Sequence, residues 1–191
     1  MSTPSHDWLD LLRTGSEKIL ERAYQDNPED RKYEDRDPQR LGSTGAGEQE
    51  IAQAEERLGI TLPPSYRLYL QVANGWDIVG YGAGHLASTT AIGWLRDVDP
   101  GLTEAWPPGP PVPDEEYFIY GEEQDCCLHL RTEYIPDTLW IGEHDDGVFL
   151  LNPHIKTAEG EWEAWFMAPW MPGASRFRSF WDLMQDQYRG S

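Results

Sequence analysis

The sharpest case for catalysis in the sequence is Glu143-His144-Asp145-Asp146, with His129 and His154 nearby in the chain. Imidazoles and carboxylates hold divalent metals and serve as general acids and bases. The two aspartates, however, stand directly before Gly147, an ordinary turn composition. No His-x3-His helix, Gly-rich phosphate loop or Cys-x2-Cys motif accompanies them. The pattern predicts turn residues, with no catalysis, no bound metal and no cofactor. A second candidate is Cys126-Cys127, a thiolate nucleophile or redox switch in principle. Glu122, Glu123 and Asp125 surround the pair and disfavour the thiolate. Adjacent cysteines cannot make a disulfide framework, so they read as plain strand residues, one facing in and one facing out.

The third chemistry is recognition. Of Trp140, Trp162, Trp165 and Trp170, most should be core, but acids flank two of them: Glu143 follows Trp140, and Glu161 and Glu163 bracket Trp162. An aromatic ring with a carboxylate rim suits a basic partner, because the ring supplies desolvated area and the acids steer and pair Arg or Lys. The expected partner-binding set is Glu122, Glu123, Asp125, Trp140, Glu143, Asp145, Asp146, Glu161 and Glu163, forming one acidic stripe. Period-2 alternation turns Leu139 and Ile141 inward and Trp140 outward, which favours Trp140 as the anchor.

These residues must be positioned by a chain of 191 residues with a formal net charge of −19. The length suits one ordinary domain, and a 39% hydrophobic share with nine tryptophans is enough for a single core. Residues 114–146 hold 11 acidic groups and one base, Arg131. Such acidity argues against nucleic-acid and anionic-membrane partners. The start has no basic n-region or apolar h-region, so the expectation is a soluble cytoplasmic protein.

Apolar spacing predicts a helix from Trp8 to about Gln25, stopped by Asn27-Pro28 and followed by a charged linker. The expected division is a helical extension at 1–27, a linker at 28–47 and the main domain at 48–191, with the first helix an appendage. Ile51, Ala54 and Leu58 predict a helix at about 48–58, closed by Gly59. Leu62-Pro63-Pro64 forces a corner, and a second helix buries Tyr66, Tyr69, Leu70 and Ala73 before Asn74-Gly75 ends it. From Trp76 the period changes to 2, predicting strands at 89–96, 117–121, 126–132, 138–142, 147–151 and 161–167. The proline-rich stretch 106–113 reads as a stiff loop, and Asp145-Asp146-Gly147 and Glu159-Gly160 read as hairpin turns. A closing helix is expected at about 176–189, with Ser179 and Asp182 supporting its first turn. The fold class is α+β.

The run Ile51-Ala-Gln-Ala-Glu55-Glu-Arg-Leu58-Gly59-Ile-Thr-Leu62-Pro63-Pro-Ser-Tyr66-Arg-Leu-Tyr69-Leu-Gln-Val-Ala-Asn74-Gly75-Trp closely resembles the signature of the SMI1/KNR4 family in the SUKH superfamily. Further similarity follows in order at Leu139-Trp-Ile141-Gly142, Leu151-Asn152-Pro153, Gly160-Glu161-Trp162-Glu163 and Phe177-Arg-Ser179-Phe180. The resemblance implies a mostly antiparallel sheet of about six strands, an N-terminal helical pair and a C-terminal helix. It also implies that Glu55, Leu58, Gly59, Leu62, Pro63, Tyr66, Asn74 and Gly75 are mainly architectural, with cap and partner contact both open for Glu55. Bacterial members of the family resemble immunity proteins. The functional expectation is therefore a binding protein, not an enzyme, that neutralises a basic, nuclease-type toxin domain. The alternative is an intracellular regulatory module like the fungal relatives, acting in signalling or cell-wall control.

Overall fold

A computed structural model describes residues 7–26, 41–79, 84–125, 129–171 and 173–189. Cys126 and Cys127 lie outside these described residues. Helix α1 (Trp8–Asp26) is followed by strand β1 (Gly42–Thr44) and the helical pair α2 (Glu48–Leu58) and α3 (Pro64–Val72). Strands β2 (Ala73–Val79), β3 (Gly84–Leu86) and β4 (Gly93–Trp94) come next. Three short helices, α4 (Leu95–Val98), α5 (Pro100–Ala105) and α6 (Asp114–Tyr117), lead to 3-10 turns at Gly121–Glu123 and Thr132–Asp137. The chain finishes with β5 (Leu139–His144), β6 (Gly147–Lys156), β7 (Trp162–Met167), β8 (Ser175–Phe177) and α7 (Phe180–Arg189).

The fold is α+β, with an antiparallel sheet in the order β1-β2-β3-β5-β6-β7-β8 and β4 paired beside β3 on β5. No helix among the described residues is long and apolar enough to cross a membrane. Local signals account for the helical pair. Ile51, Ala54 and Leu58 are buried on one stripe of α2, and Gly59 closes it at φ 70°, donating to the carbonyls of Glu55 and Glu56. That left-handed conformation suits glycine, which has no Cβ to clash. Pro64 opens α3, where its missing N–H leaves no helical bond unmade. Tyr66, Tyr69 and Leu70 are fully buried.

Both faces of the sheet are covered. On one face Leu139, Ile141, Phe149, Leu151, Trp162, Ala164 and Phe166 meet α1, α2, α3 and α7 in the main core. On the other, Leu150, Trp165 and Met167 pack with Leu95, Leu130, Ile135 and Ala174. Alternation along β5, β6 and β7 divides these sets, as a period of two requires.

The first helix corrects the expectation of an appendage. Trp8, Leu12, Ile19 and Leu20 belong to the main core, and the Trp8 ring lies 5.2 Å from Phe180 and 5.6 Å from Tyr69. Trp76 Nε1 donates to Ser16 Oγ at 3.0 Å. Gly15 permits the close approach, since a Cβ there would sit 2.2 Å from the Tyr188 ring.

Other expectations also change. The strand expected at 117–121 is the end of α6 and an irregular segment leading into a 3-10 turn. Only Gly93 and Trp94 of 89–96 join the sheet, and the described residues 129–131 join no strand. The sheet has eight strands where about six were expected, because β1, β3 and β8 are three-residue pieces stabilised by pairing, and β2 follows α3 directly where the helix gives way to pairing. The closing helix starts at Phe180, preceded by β8, and Ser179 caps it by accepting from Asp182 N–H at 3.1 Å. The hairpin turns fall where the acids and glycines placed them, with Asp145 at φ 52° and Gly160 at φ 88°.

Candidate functional site

The acidic hairpin tip is formed by β5 and β6. His144 pairs with Gly147 across a two-residue turn of Asp145 and Asp146, both exposed, and Glu143 is exposed just before it. A left-handed first turn residue fits the twist of a tight hairpin, and aspartate tolerates it. His85 on β3 faces Glu143, with Nδ1 to Oε1 at 3.6 Å.

The three histidines weighed as ligands or bases are dispersed. His144 is near Asp145, at 3.8 Å, with its ring beside Phe149 and Phe166. His154 pairs with Asp137 at 3.3 Å and stacks on Tyr134, whereas His129 pairs with Glu116 at 3.5 Å. Among the described residues, no group of three or more His, Cys, Asp and Glu side chains is gathered so as to hold a metal ion.

Glu163 belongs to a different environment. The single acidic stripe is corrected here, because Glu163 is 1% exposed and cannot meet a partner. It lies on the β7 face covered by residues 114–124. Its Oε2 accepts from Tyr117 OH at 2.7 Å, Asn152 Nδ2 at 3.0 Å and Trp165 Nε1 at 2.7 Å. Its Oε1 accepts from Tyr120 OH at 2.8 Å and from Arg176 Nη1 at 3.2 Å. Arg176, also 1% exposed, donates to the Tyr117 carbonyl at 2.6 Å and lies 4.1 Å from the Tyr117 ring. A buried charge is tolerable only when paired and hydrogen-bonded, and this one is both. Burial, then the Glu163 charge, pushes the phenols of Tyr117 and Tyr120 far above their ordinary range.

Glu161 is also taken up by the fold. Its carboxylate accepts from Ser65 N–H at 2.8 Å and Ser65 Oγ at 2.6 Å, capping the start of α3. Trp162 is buried in the main core, and Trp140 is half-buried against both cores, so neither is an open anchor. The exposed indole is Trp170, at 66%, which donates from Nε1 to Asp146 Oδ1 at 3.1 Å. The sequence groups it with the mostly core tryptophans, and the structure places it outside them. Its local signal is the Pro-Trp-Met-Pro-Gly context from Pro169 to Gly173, a loop composition that places a ring outside strand alternation.

Glu122 and Glu123 are exposed on the 3-10 turn, and Asp125 is half-buried. They stand beyond β8, where the Gln124 side chain pairs with both the N–H and the carbonyl of Arg176. This amide closes the outer edge of the sheet to further strands. Beside it is a cleft of about 670 Å³ lined by residues that include Tyr120, Glu122, Phe177, Arg178 and Asp182. In the strand order, β7 and β8 separate this group from the hairpin tip. The proposed acids therefore form two exposed groups, with Glu161 taken up at the start of α3 and Glu163 in a buried network.

The signature residues lie at the helical corner. Glu55 Oε1 accepts from Leu62 N–H at 2.9 Å and is 3.5 Å from Arg67 Nε, so its carboxylate is used as a brace. Leu58, Leu62 and Tyr66 are buried, and Pro63 precedes α3 in an extended conformation. Asn74 Oδ1 accepts from Thr89 N–H at 2.7 Å, and Gly75 adopts φ 105° in β2.

Comparison with known proteins gives one family match: residues 45–186 match the profile of the SMI1 / KNR4 family (SUKH-1). No curated protein matches the chain.

Proposed function

Because the chain belongs to the SMI1/KNR4 (SUKH-1) family, typically one of toxin immunity proteins, we propose that it is an immunity protein that binds and neutralises a cognate toxin without turnover of its own. The observation that carries this reading is the family match across residues 45–186, which spans strands β2 to β8, helices α2 to α6 and most of α7. The charge supports a basic, nuclease-type partner. A nuclease grips phosphates with Lys and Arg, and a chain at −19 attracts such a surface. Of the acids expected to bind a partner, Glu143, Asp145 and Asp146 at one end and Glu122 and Glu123 at another are exposed. Binding there would occlude the toxin's phosphate-gripping surface, so neutralisation needs no chemistry from the immunity protein.

The test is co-expression with a basic, nuclease-type toxin domain from the C-terminus of any large secreted protein encoded directly upstream of its gene. The expected result is restored growth, a stoichiometric complex, and association that slows as salt shortens the Debye length from about 10 Å at 0.1 M to about 3 Å at 1 M. Growth arrest that the chain does not relieve overturns the reading. Low-salt recovery from native cells of an endogenous regulatory complex, with no protection, would favour the signalling alternative.

A further inference from the structure

Against the hairpin tip, in the loop between β7 and β8, lies the most exposed large hydrophobic side chain among the described residues. Trp170 is 66% exposed, above Leu9, Val72, Val98 and Phe118, which range from 38% to 43%. An indole left in water is a cost that most folds avoid, and tryptophan is the residue type most enriched at binding hot spots. Trp170 is also held in place. Its Nε1 donates to Asp146 Oδ1 at 3.1 Å, and its ring lies 6.2 Å from Phe166, itself buried in the main core. Asp146 sits in the two-residue turn of the hairpin, so the backbone that carries the acceptor is held in place. A positioned ring loses little freedom on binding, which is what an anchor needs.

The surroundings name the partner's chemistry. Asp145, Asp146 and Glu143 are exposed carboxylates at the same tip, and His85 and His144 are the basic side chains recorded beside them. We infer that Trp170, oriented by Asp146 and with Asp145 exposed in the same turn, is the docking anchor for a basic protein surface, with an Arg or Lys of the partner over the indole face and Glu143 adding negative charge from the other side of the tip. Guanidinium and ammonium groups are drawn to such a face, and the tip acids pair and steer them. A second copy of this chain is the poorer occupant, because it brings another −19. The inference deepens the binding reading but does not depend on the partner being a toxin.

The full chain labelled with 5-fluorotryptophan, observed by fluorine NMR, tests it. The Trp170 resonance is assigned by its loss in Trp170→Phe. A hexa-arginine peptide should shift that resonance saturably, and a hexa-glutamate peptide should not. Neutralising the tip with Glu143→Gln, Asp145→Asn and Asp146→Asn should weaken the hexa-arginine titration about tenfold or more. Asn at 145 tolerates the left-handed turn, and Asn at 146 keeps an acceptor for the indole. The control Glu122→Gln with Glu123→Gln should leave the Trp170 titration unchanged, and the other tryptophan resonances report whether each variant is folded. The inference is overturned by an unmoved Trp170 resonance or by equal response to both peptides. It is also overturned by equal weakening in the control, by a response only to phosphatidylcholine vesicles, or by a shift that follows protein concentration with dimers in ultracentrifugation. Failure of growth rescue would leave this titration standing, and failure of the titration would leave rescue standing.

Discussion

On one face of the sheet, α1, α2, α3 and α7 press apolar and aromatic side chains into the main core. On the other face, short helices and 3-10 turns cover a smaller apolar cluster, beside which lies a buried carboxylate and guanidinium. The first face is held by many interchangeable contacts, so its stability is roughly a sum of buried areas. The second is held by a few directional bonds around Glu163 and Arg176, each of which leaves a buried charge or dipole unmatched if removed. The two faces should therefore fail in different ways when broken.

The largest effect is expected from removing residues 1–26. Trp8, Leu12, Ile19 and Leu20 leave the main core, and at about 1.5–3 kcal/mol for each large buried side chain their sum rivals the roughly 5–15 kcal/mol that stabilises a whole domain. The truncated chain should lose its cooperative urea transition by circular dichroism. A cooperative transition kept near its original midpoint would return this helix to the rank of an appendage and make residues 48–191 an independent domain.

Next comes Arg176→Met, which strips Glu163 of its cation. The expected loss is about 3–5 kcal/mol, read from urea midpoints. Adding Glu163→Gln should recover a substantial part of it, since the stranded charge is then gone. Equal losses in the single and double variants would mean that shape, and not charge, holds this face.

A pair of tyrosines sharpens the contrast further. Tyr117 donates to Glu163, so Tyr117→Phe should cost about 1.5–3 kcal/mol as a lost bond to a charged group. The Tyr66 hydroxyl is buried without a hydrogen-bond partner among the described residues, so Tyr66→Phe should be neutral or slightly stabilising. Similar losses for both would erase the distinction between the faces.

The smallest effect concerns the exposed rim of the helical side. Arg67 bonds to Glu48 and holds its carboxyl below the usual carboxylate range. A depressed folded value means that this contribution is present above the unfolded pKa and is lost as pH falls through the folded one. Glu48→Gln should slightly flatten acid unfolding measured by pH-dependent melting, while leaving neutral stability nearly unchanged. A large change at neutral pH would show that this surface pair carries more than an exposed pair should.

Much of the helical face was legible before any coordinates. Ile51, Ala54 and Leu58 have a helical period, Gly59 and Pro64 punctuate the chain, and Asp145-Asp146-Gly147 has turn composition. All of these act within a few residues, where local sterics decide conformation. The covering segment reads as strands in the sequence because Tyr117, Phe118, Ile119 and Tyr120 have β-favouring side chains, but strand propensity yields to packing. Here two of those rings point their hydroxyls at a carboxylate 43 and 46 residues further on.

The sequence by itself determined the net charge, the helical corner with its family signature, the hairpin tip and the α+β class. Each depends on composition or on neighbours a few positions apart. Only the tertiary structure decided which acids are open and which tryptophan is exposed. Glu161 and Glu163 look alike in the chain, yet one caps α3 and the other is sealed beneath Tyr117 and Tyr120. Trp165 and Trp170 are five positions apart, one fully buried and one open to solvent. Burial is set by what packs from distant segments, and the local pattern records it only in part.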